Sequence, residues 1–95
     1  MDVNSPEYQK RLRIRLCVFA YAYEYEADSL IDDHEFDRLC LLVNTDVKTD
    51  DISYDKWFKE EFSPYTGQWI RNHPERLLVQ RQYLRLKEAL VCRSI

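Results

Sequence analysis

Apolar side chains recur at steps of three and four residues along the first quarter of the chain, which is the spacing of one face of an α-helix. The members of this stripe are Tyr8, Leu12, Leu16, Phe19 and Tyr23, widened by Ile14, Cys17, Val18, Tyr21 and Tyr25. Ser5 supplies a hydroxyl cap, and Pro6 is a residue favoured at the first helical position. The pattern predicts a helix from Pro6 to about Glu26, and its wide apolar surface suggests a central place in the fold.

A second helix is predicted after a short turn over residues 27–31. Asp32 has the side chain of an N-cap, and Glu35 three residues later would complete a capping box by reaching back to the start of the helix. We expect this helix to run from Asp32 to about Asn44. The side chains expected to face inward are Phe36, Leu39, Cys40 and Val43.

Two more helices are predicted in the second half of the chain. Asp51 or Ser53 would cap a third helix that ends near Phe62, and Pro74 would lie in the first turn of the last helix. The connection between them contains Gly67, for which a positive φ costs little. Residues expected to pack inward are Ile52, Trp57, Phe58 and Phe62 in the third helix, Trp69 and Ile70 in the connection, and Leu77, Leu78, Leu84, Leu86, Leu90 and Val91 in the last helix.

Length and composition agree with a helical fold. A chain of 95 residues is one domain at most, and 45% apolar residues are enough for a core. One glycine and three prolines leave few breaks between helices. We therefore expect a compact all-α single domain over residues 1–95, with about four helices, a central aromatic-rich first helix and a helical hairpin over residues 21–43.

Charge is divided into blocks, although the net charge is only −3. The first helix and the C-terminal part are basic, whereas residues 24–37, the acidic segment, are strongly acidic. The acids of this segment are Glu24, Glu26, Asp28, Asp32, Asp33, Glu35 and Asp37. Non-specific nucleic-acid binding needs a basic surface, so it is not expected. The acids form either a solvated surface paired with the chain's own basic residues or a surface for a partner, and the sequence leaves both open.

Cysteine usage and hydropathy bear on the compartment. Cys17, Cys40 and Cys92 are far apart in apolar surroundings, which is typical of buried free thiols in a reducing cytoplasm. The N-terminus has no apolar stretch of a signal peptide, and no segment approaches the length of a membrane span. A cytoplasmic protein is expected, in the host cytoplasm if a phage encodes it.

The sequence offers little catalytic chemistry, and we do not expect an enzyme. No serine lies in a nucleophile elbow, a single glycine cannot build a phosphate loop, and His34 and His73 both fall at predicted helix starts. A cysteine nucleophile paired with either histidine stays a minor alternative. Asp33 and Asp37, one helical turn apart, could share a hard cation, but capping and solvation explain them equally well. No metal or cofactor is expected.

One segment resembles a known family. Tyr21 and Tyr23, followed by the stretch IDDHEFDRL at residues 31–39, are similar to the N-terminal helical subdomain of NAD-dependent DNA ligases, whose pattern is roughly Y-x-Y-[YH] and then I-S-D-x-E-Y-D-x-L. The resemblance implies contact with the nicotinamide mononucleotide half of NAD. By position it implies as nucleotide-binding residues Tyr23, Glu24, Asp33, Phe36 and Asp37. The adenylated lysine motif of ligases is absent, so ligation itself is excluded.

The leading hypothesis is a non-catalytic protein-binding module. Small stand-alone proteins with this helical pair resemble those carried by bacteriophages, and we expect a phage-type protein that inhibits or modulates a host nucleic-acid-handling or defence complex, as anti-CRISPR proteins do. Its acidic segment would meet a basic surface of a host protein, with Tyr21 or Tyr25 as an aromatic anchor. The partner-binding residues would be Tyr21, Glu24, Tyr25, Glu26, Asp28, Asp32, Asp33 and Asp37. No direct contact with nucleic acid or membrane is expected.

Two alternatives stay open beside this hypothesis. The first is an accessory protein that binds nicotinamide mononucleotide or NAD, as the ligase resemblance implies. The second is a structural assembly subunit that associates through an aromatic surface around Trp57, Tyr65 and Trp69.

Overall fold

Four α-helices and one short 3₁₀ helix make up the fold. The computed structural model describes the backbone of residues 2–94 and the side chains of residues 2–90, and no β-strand occurs within those bounds. The helices are α1 (Pro6–Glu26), α2 (Asp33–Leu41), α3 (Ile52–Glu61), the 3₁₀ helix (Gln68–Asn72) and α4 (Arg76–Ser94). The predicted all-α class with about four helices is confirmed. The predicted side chains of Val91 and Cys92 lie outside the described residues.

The bounds of α1 follow from local signals. Ser5 Oγ accepts a hydrogen bond from the Tyr8 N–H at 3.2 Å, and Pro6 occupies the first helical position. At the other end Ala27 has a φ of 49°, a left-handed conformation that stops the helix. The prediction of a helix from Pro6 to Glu26 is confirmed.

The core surrounds α1, which packs against α2, the 3₁₀ helix and α4. Its most deeply buried apolar side chains come from all five helices and are Leu16, Ala22, Cys40, Phe58, Ile70 and Val79. Cys17 and Cys40 are buried free thiols, as predicted. Burial raises the pKa of Cys17 to about 12 and that of Cys40 to about 11, so both remain protonated and unreactive near neutral pH.

Several predicted inward positions are exposed. Tyr23 in α1 is 62% exposed, and Ile52 in α3 is 81% exposed. In α4 the buried residues are Val79 and Tyr83, and the helix begins at Arg76, after Pro74. The predicted leucines of this helix that are exposed are Leu77, Leu78, Leu84 and Leu90. Apolar residues lie on all sides of α4, so their spacing does not identify the buried face.

The end of α2 is set by a side chain from α1. Gln9, which is fully buried, donates through Nε2 to the carbonyl of Leu42 at 2.9 Å, and its Oε1 accepts from the Asn44 N–H at 2.9 Å. These backbone groups are bound by Gln9 and not by a further helical turn. The helix therefore ends at Leu41 and not near Asn44 as predicted.

The start of α2 is only partly as predicted. The Asp32 carboxylate accepts from the His34 N–H at 2.8 Å, which confirms Asp32 as the N-cap. Glu35, by contrast, does not reach back to the cap. It pairs with Arg38 one turn later, so the predicted capping box is wrong.

A buried ion pair joins α1 to α3. Arg13 is 6% exposed and donates to Asp55 Oδ1 at 2.8 Å. Its second terminal nitrogen donates to the carbonyls of Asn44 and Val47 at 2.9 and 2.8 Å, and so fixes the loop between α2 and α3. Thr49 completes the cluster by donating to the Asp55 carboxylate from both its backbone and its hydroxyl. Arg13, one of the basic residues of α1, is therefore buried and paired inside the protein.

Within residues 2–94, no helix combines the length and apolar character needed to cross a lipid bilayer.

Candidate functional site

A pocket of about 350 Å³ opens between the C-terminal half of α1, the start of α2 and the connection before the 3₁₀ helix. Three carboxylates and four aromatic rings contribute to its wall, and we call it the acidic pocket. These residues are Glu24, Asp33 and Asp37, together with Phe19, Tyr23, Phe36 and Tyr65. The pocket lies at the helical hairpin that the sequence singled out.

Helical spacing places the acids on one side of the pocket. Asp33, Phe36 and Asp37 are separated by three and four residues, so they project from the same face of α2. Asp33 lies in the first turn, where the positive end of the helix dipole stabilises a carboxylate. Tyr23 and Glu24 are neighbours near the end of α1 and line the same pocket.

Gly67 lines the pocket beside α1 and α2. A Cβ atom at this glycine would lie 3.5 Å from Ala20 Cβ and 3.7 Å from Phe36 Cζ, which are ordinary contact distances. The expected positive φ is not found, since Gly67 has a φ of −99°. The connection therefore lies close to Ala20 and Phe36 and still has room for a methyl group at position 67.

The three pocket acids differ in their pairing. Glu24 accepts hydrogen bonds from Arg71 Nε and Nη2, and its side chain is only 10% exposed. Asp33 and Asp37 are exposed, and neither forms an ion pair with any side chain of residues 2–90. Among the side chains that the structure describes, no lysine, arginine or histidine lines the pocket. Two uncompensated negative charges therefore border an aromatic opening.

The remaining acids of the predicted partner-binding surface are largely engaged within the chain. Asp28 accepts from Lys87 at 2.9 Å and from the Tyr83 hydroxyl at 2.8 Å. The hydrogen bond from Lys87, followed by that from Tyr83, lowers the pKa of Asp28. Glu26 accepts from the Tyr21 hydroxyl at 3.1 Å, and Asp32 caps α2. The acidic segment is thus divided: Glu24, Asp28 and Glu35 are in ion pairs, Glu26 and Asp32 accept from neutral donors only, and Asp33 and Asp37 are the acids without an ion pair that line the pocket.

The aromatic anchor expected from the sequence is not available at Tyr21. Its ring is 4% exposed and lies 5.6 Å from the ring of Tyr83 in the core. Tyr25 is 38% exposed, but it stacks on Tyr21 at 5.1 Å, and the guanidinium of Arg76 lies 5.3 Å from its centroid. Burial of Tyr21 removes one of the two predicted anchors, whereas Tyr25 is exposed and stays a predicted anchor.

The exposed aromatic residues at the pocket are Tyr23 and Tyr65, at 62% and 87%. Sequence reasoning did not assign Tyr65 to this site. One feature of the sequence could have identified Tyr65. It lies between a proline and a glycine in a polar connection, outside any helical apolar stripe. Because Tyr65 and Asp33 are far apart along the chain, only the folded structure brings them to one opening.

The aromatic surface expected for an assembly subunit is not present as predicted. Trp69 is 4% exposed and lies 5.3 Å from the ring of Phe58 and 6.0 Å from that of Trp57. Trp57 is half-buried, and its Nε1–H donates to the Asn72 carbonyl at 2.9 Å. These two rings belong to an internal cluster, which leaves Tyr65 as the exposed member of the predicted three.

The pocket combines carboxylates with aromatic rings. Carboxylates and aromatic faces both attract cations, the first by charge and the second through the ring quadrupole. Across the part of the chain that the structure describes, no group of three or more His, Cys, Asp or Glu side chains is arranged to hold a metal ion.

Comparisons of the chain with protein-family models, with curated proteins and with solved structures give no match. The resemblance of residues 21–43 to the ligase subdomain therefore stays a prediction. The five residues that it implies as nucleotide-binding all line the acidic pocket: Tyr23, Glu24, Asp33, Phe36 and Asp37.

Proposed function

We propose that this chain is a non-catalytic binding protein that holds a cationic side chain of a partner protein in the acidic pocket. The observation that carries the proposal is the position of Asp33 and Asp37, two carboxylates without an internal ion pair, beside exposed Tyr23 and Tyr65. A guanidinium is the partner group that fits best, since it binds carboxylates through paired hydrogen bonds and stacks on aromatic faces.

The proposed partner is a basic surface of a nucleic-acid-handling or defence protein of a phage host. Grooves that bind nucleic acid carry arginine and lysine side chains, and a carboxylate pair can occupy the positions of two phosphates. Contact with an aromatic face adds about 0.5–2 kcal/mol to the attraction of a cation. Most of the remaining acids are paired within the chain, so the pocket and not the whole acidic segment supplies the interaction.

Titration with an arginine-rich peptide, followed by tyrosine fluorescence and calorimetry, tests this proposal. Binding is expected at low ionic strength and should weaken as salt is added. The double variant Asp33→Lys/Asp37→Lys should abolish it. The matched control is Glu60→Lys/Glu88→Lys, which makes the same change in net charge at exposed acids outside the pocket.

The two variants separate a pocket effect from a general charge effect. Equal losses in both would show that only net charge matters, and the pocket would then have no special role. The same pair of variants, used as bait in a bacterial lysate, would show whether a captured protein depends on the pocket. A partner retained by the Asp33/Asp37 variant would contradict the proposal.

A second candidate function is binding of a nicotinamide nucleotide. It is favoured by the arrangement of all five ligase-like positions around one opening. The nicotinamide ring of NAD carries a positive charge, which suits Asp33, Asp37 and the aromatic walls. The phosphate does not suit them, because no basic side chain lines the pocket.

Titration with three ligands tests the second candidate: nicotinamide riboside, nicotinamide mononucleotide and NAD. If the pocket takes this class of ligand, the riboside should bind more tightly than the mononucleotide, since it lacks the repelled phosphate. Absence of heat and of fluorescence change with all three at millimolar concentration would exclude the class. Loss of ligand binding in the Asp33→Asn/Asp37→Asn variant would place the bound ligand in the acidic pocket.

A further inference from the structure

A cleft of about 540 Å³ lies at the start of α4, beside the end of the 3₁₀ helix. We call it the basic cleft. The residues that line it include three arginines and three apolar residues: Arg71, Arg76 and Arg81, together with Pro74, Leu77 and Leu78. It shares no lining residue with the acidic pocket. The basic cleft is therefore a second surface, which the proposed function does not use.

Arginines outnumber acids by three to one among the described residues of the basic cleft. Arg76 and Arg81 are exposed, and neither forms an ion pair with any described side chain. The acid of the cleft, Glu75, interacts with the Tyr54 hydroxyl. Burial lowers the pKa of His73, so its imidazole is neutral near pH 7. Two free arginine charges therefore border this cleft, just as two free carboxylates border the acidic pocket.

Large apolar side chains are exposed in the same cleft. Leu77 is 66% exposed and Leu78 is 40% exposed, whereas Val79, the next residue of α4, is buried in the core. Covering a leucine side chain completely contributes about 1.5–3 kcal/mol. Arginine is also enriched in protein interfaces relative to the rest of the surface. Leucines beside free arginines therefore suit contact with another protein surface.

The acidic pocket carries the complementary set of groups. Tyr23 and Tyr65 are exposed there, beside the free carboxylates of Asp33 and Asp37. Carboxylates bind guanidinium groups through paired hydrogen bonds, and tyrosine rings stack on guanidinium groups and cover apolar side chains. The two surfaces of this chain therefore match each other in charge and in apolar character.

The two surfaces adjoin at one ion pair. Glu24 lines the acidic pocket, Arg71 lines the basic cleft, and their side chains are joined at 2.8 Å. Since the acidic and basic surfaces are neighbours, a two-fold axis that runs between them places the acidic surface of each copy opposite the basic surface of the other. The same contact then forms twice in one dimer.

From these observations we propose that a second copy of this chain binds through the combined surface, with the free arginines of each copy directed to the free carboxylates of the other. Tyr65 of each copy covers Leu77 of the other. This inference rests on the proposed function, because it takes the acidic pocket as a site for guanidinium groups, and it adds a regulatory role. The dimer occupies the pocket and so competes with a host protein for it.

Sedimentation equilibrium of the whole chain at micromolar to millimolar concentration tests for the dimer. At low ionic strength the apparent mass should rise with concentration towards twice the monomer mass. Between about 0.01 and 1 M salt the Debye length falls from about 30 to about 3 Å, so the association constant should fall at least about tenfold. A chain that stays monomeric at millimolar concentration and low ionic strength would overturn the proposal.

Two charge reversals and their mixture identify the surface. Arg76→Glu/Arg81→Glu and Asp33→Lys/Asp37→Lys should each be monomeric, because like charges then face each other. Their equimolar mixture should form a heterodimer, since the reversed surfaces are again opposite in charge. Cooperative melting checks that each variant is folded, and Asp33→Asn/Asp37→Asn replaces a lysine variant that is not. A dimer of either variant alone, or a mixture that stays monomeric, would contradict the proposed surface.

The matched control is Lys48→Glu/Lys56→Glu, which makes the same change in net charge as the arginine reversal at exposed lysines outside both surfaces. Alone it should dimerise as the wild type does. Mixed with the Asp33/Asp37 lysine variant it should associate less than the arginine reversal does, because one of the two contacts is then repulsive. Equal association in the two mixtures would mean that net charge alone drives the contact, against the proposal.

The arginine-rich peptide separates this inference from the proposed function. The Arg76→Glu/Arg81→Glu variant keeps its acidic pocket and should still bind the peptide, and the peptide should dissociate the wild-type dimer. Peptide binding by a wild-type chain that never dimerises would overturn the dimer and leave the proposed function in place. A dimer that the peptide neither binds nor dissociates would overturn the role of the pocket in both.

Discussion

Arg71 and Glu24 lie 47 positions apart in the sequence and join the 3₁₀ helix to α1 through two hydrogen bonds, from Nε at 3.1 Å and from Nη2 at 2.8 Å, to one carboxylate oxygen. This pair removes one of the three negative charges of the acidic pocket from use by a partner. The second oxygen of Glu24 and the two free carboxylates of Asp33 and Asp37 then define what the pocket can bind.

Replacing Arg71 should therefore strengthen cation binding. In Arg71→Ala the Glu24 carboxylate loses its partner and adds its charge to those of Asp33 and Asp37. We expect several-fold tighter binding of an arginine-rich peptide, with a stability loss below about 1 kcal/mol because the Arg71 side chain is 61% exposed. The control is Arg85→Ala, which removes an equal charge on α4. Equal gains in the two variants would mean that net charge, not the pocket, sets affinity.

Breaking the buried ion pair should be costly. Asp55→Ala leaves the Arg13 guanidinium buried without its counter-charge, and the expected loss of unfolding free energy is about 3–5 kcal/mol. The comparison is Asp46→Ala, which breaks the exposed pair with Lys59 and should cost less than about 1 kcal/mol. Urea denaturation followed by tryptophan fluorescence measures both. Similar losses of unfolding free energy in the two variants would show that solvent reaches Arg13.

The Gln9 side chain should be needed for the end of α2. In Gln9→Leu the Leu42 carbonyl and the Asn44 N–H lose their partner while the volume stays similar, and we expect a loss of about 2–4 kcal/mol. Hydrogen exchange of the Asn44 amide should become faster by the factor that corresponds to this loss of free energy. Gln80→Leu on α4 is the matched control and should change little. Slow exchange at Asn44 in the first variant would contradict this account.

Acid should weaken the contact between α4 and the turn after α1. Hydrogen bonds from Lys87 and Tyr83 lower the pKa of Asp28 in the folded chain. A lowered folded-state pKa means that the stabilisation is present above the unfolded value of about 4 and is lost as the pH falls through the folded value. The melting temperature should fall as the pH drops through that range. In Asp28→Asn the melting temperature should depend less steeply on pH. Glu60→Gln replaces an exposed acid and should leave the pH dependence of the melting temperature as it is in the wild type.

An alanine at position 67 should be tolerated. The φ of Gly67 is negative, and an added Cβ would make ordinary contacts with Ala20 and Phe36. Gly67→Ala should keep or raise stability by up to about 1 kcal/mol, because it restricts the unfolded chain more than the folded one. Thermal unfolding measures the change. A loss above about 1 kcal/mol would show that Ala20 and Phe36 cannot adjust.

The sequence by itself determined the helical class and the starts of α1 and α2. Ser5, Asp32 and Asp51 accept hydrogen bonds from backbone N–H groups two or three positions away, so the information needed to read them is local. The same holds for the length of α1. It does not hold for the capping box at Glu35, because Arg38 competes for that carboxylate and prevails.

Only the tertiary structure decided which acids are free and which rings are exposed. Burial of Tyr21, pairing of Glu24 with Arg71 and of Asp28 with Lys87, and the placement of Tyr65 all depend on residues distant in the chain. The buried face of α4 and the end of α2 were likewise set by packing partners. Local periodicity records where apolar residues occur, whereas burial and charge pairing depend on which surfaces meet, and that is fixed by the packing of the whole chain.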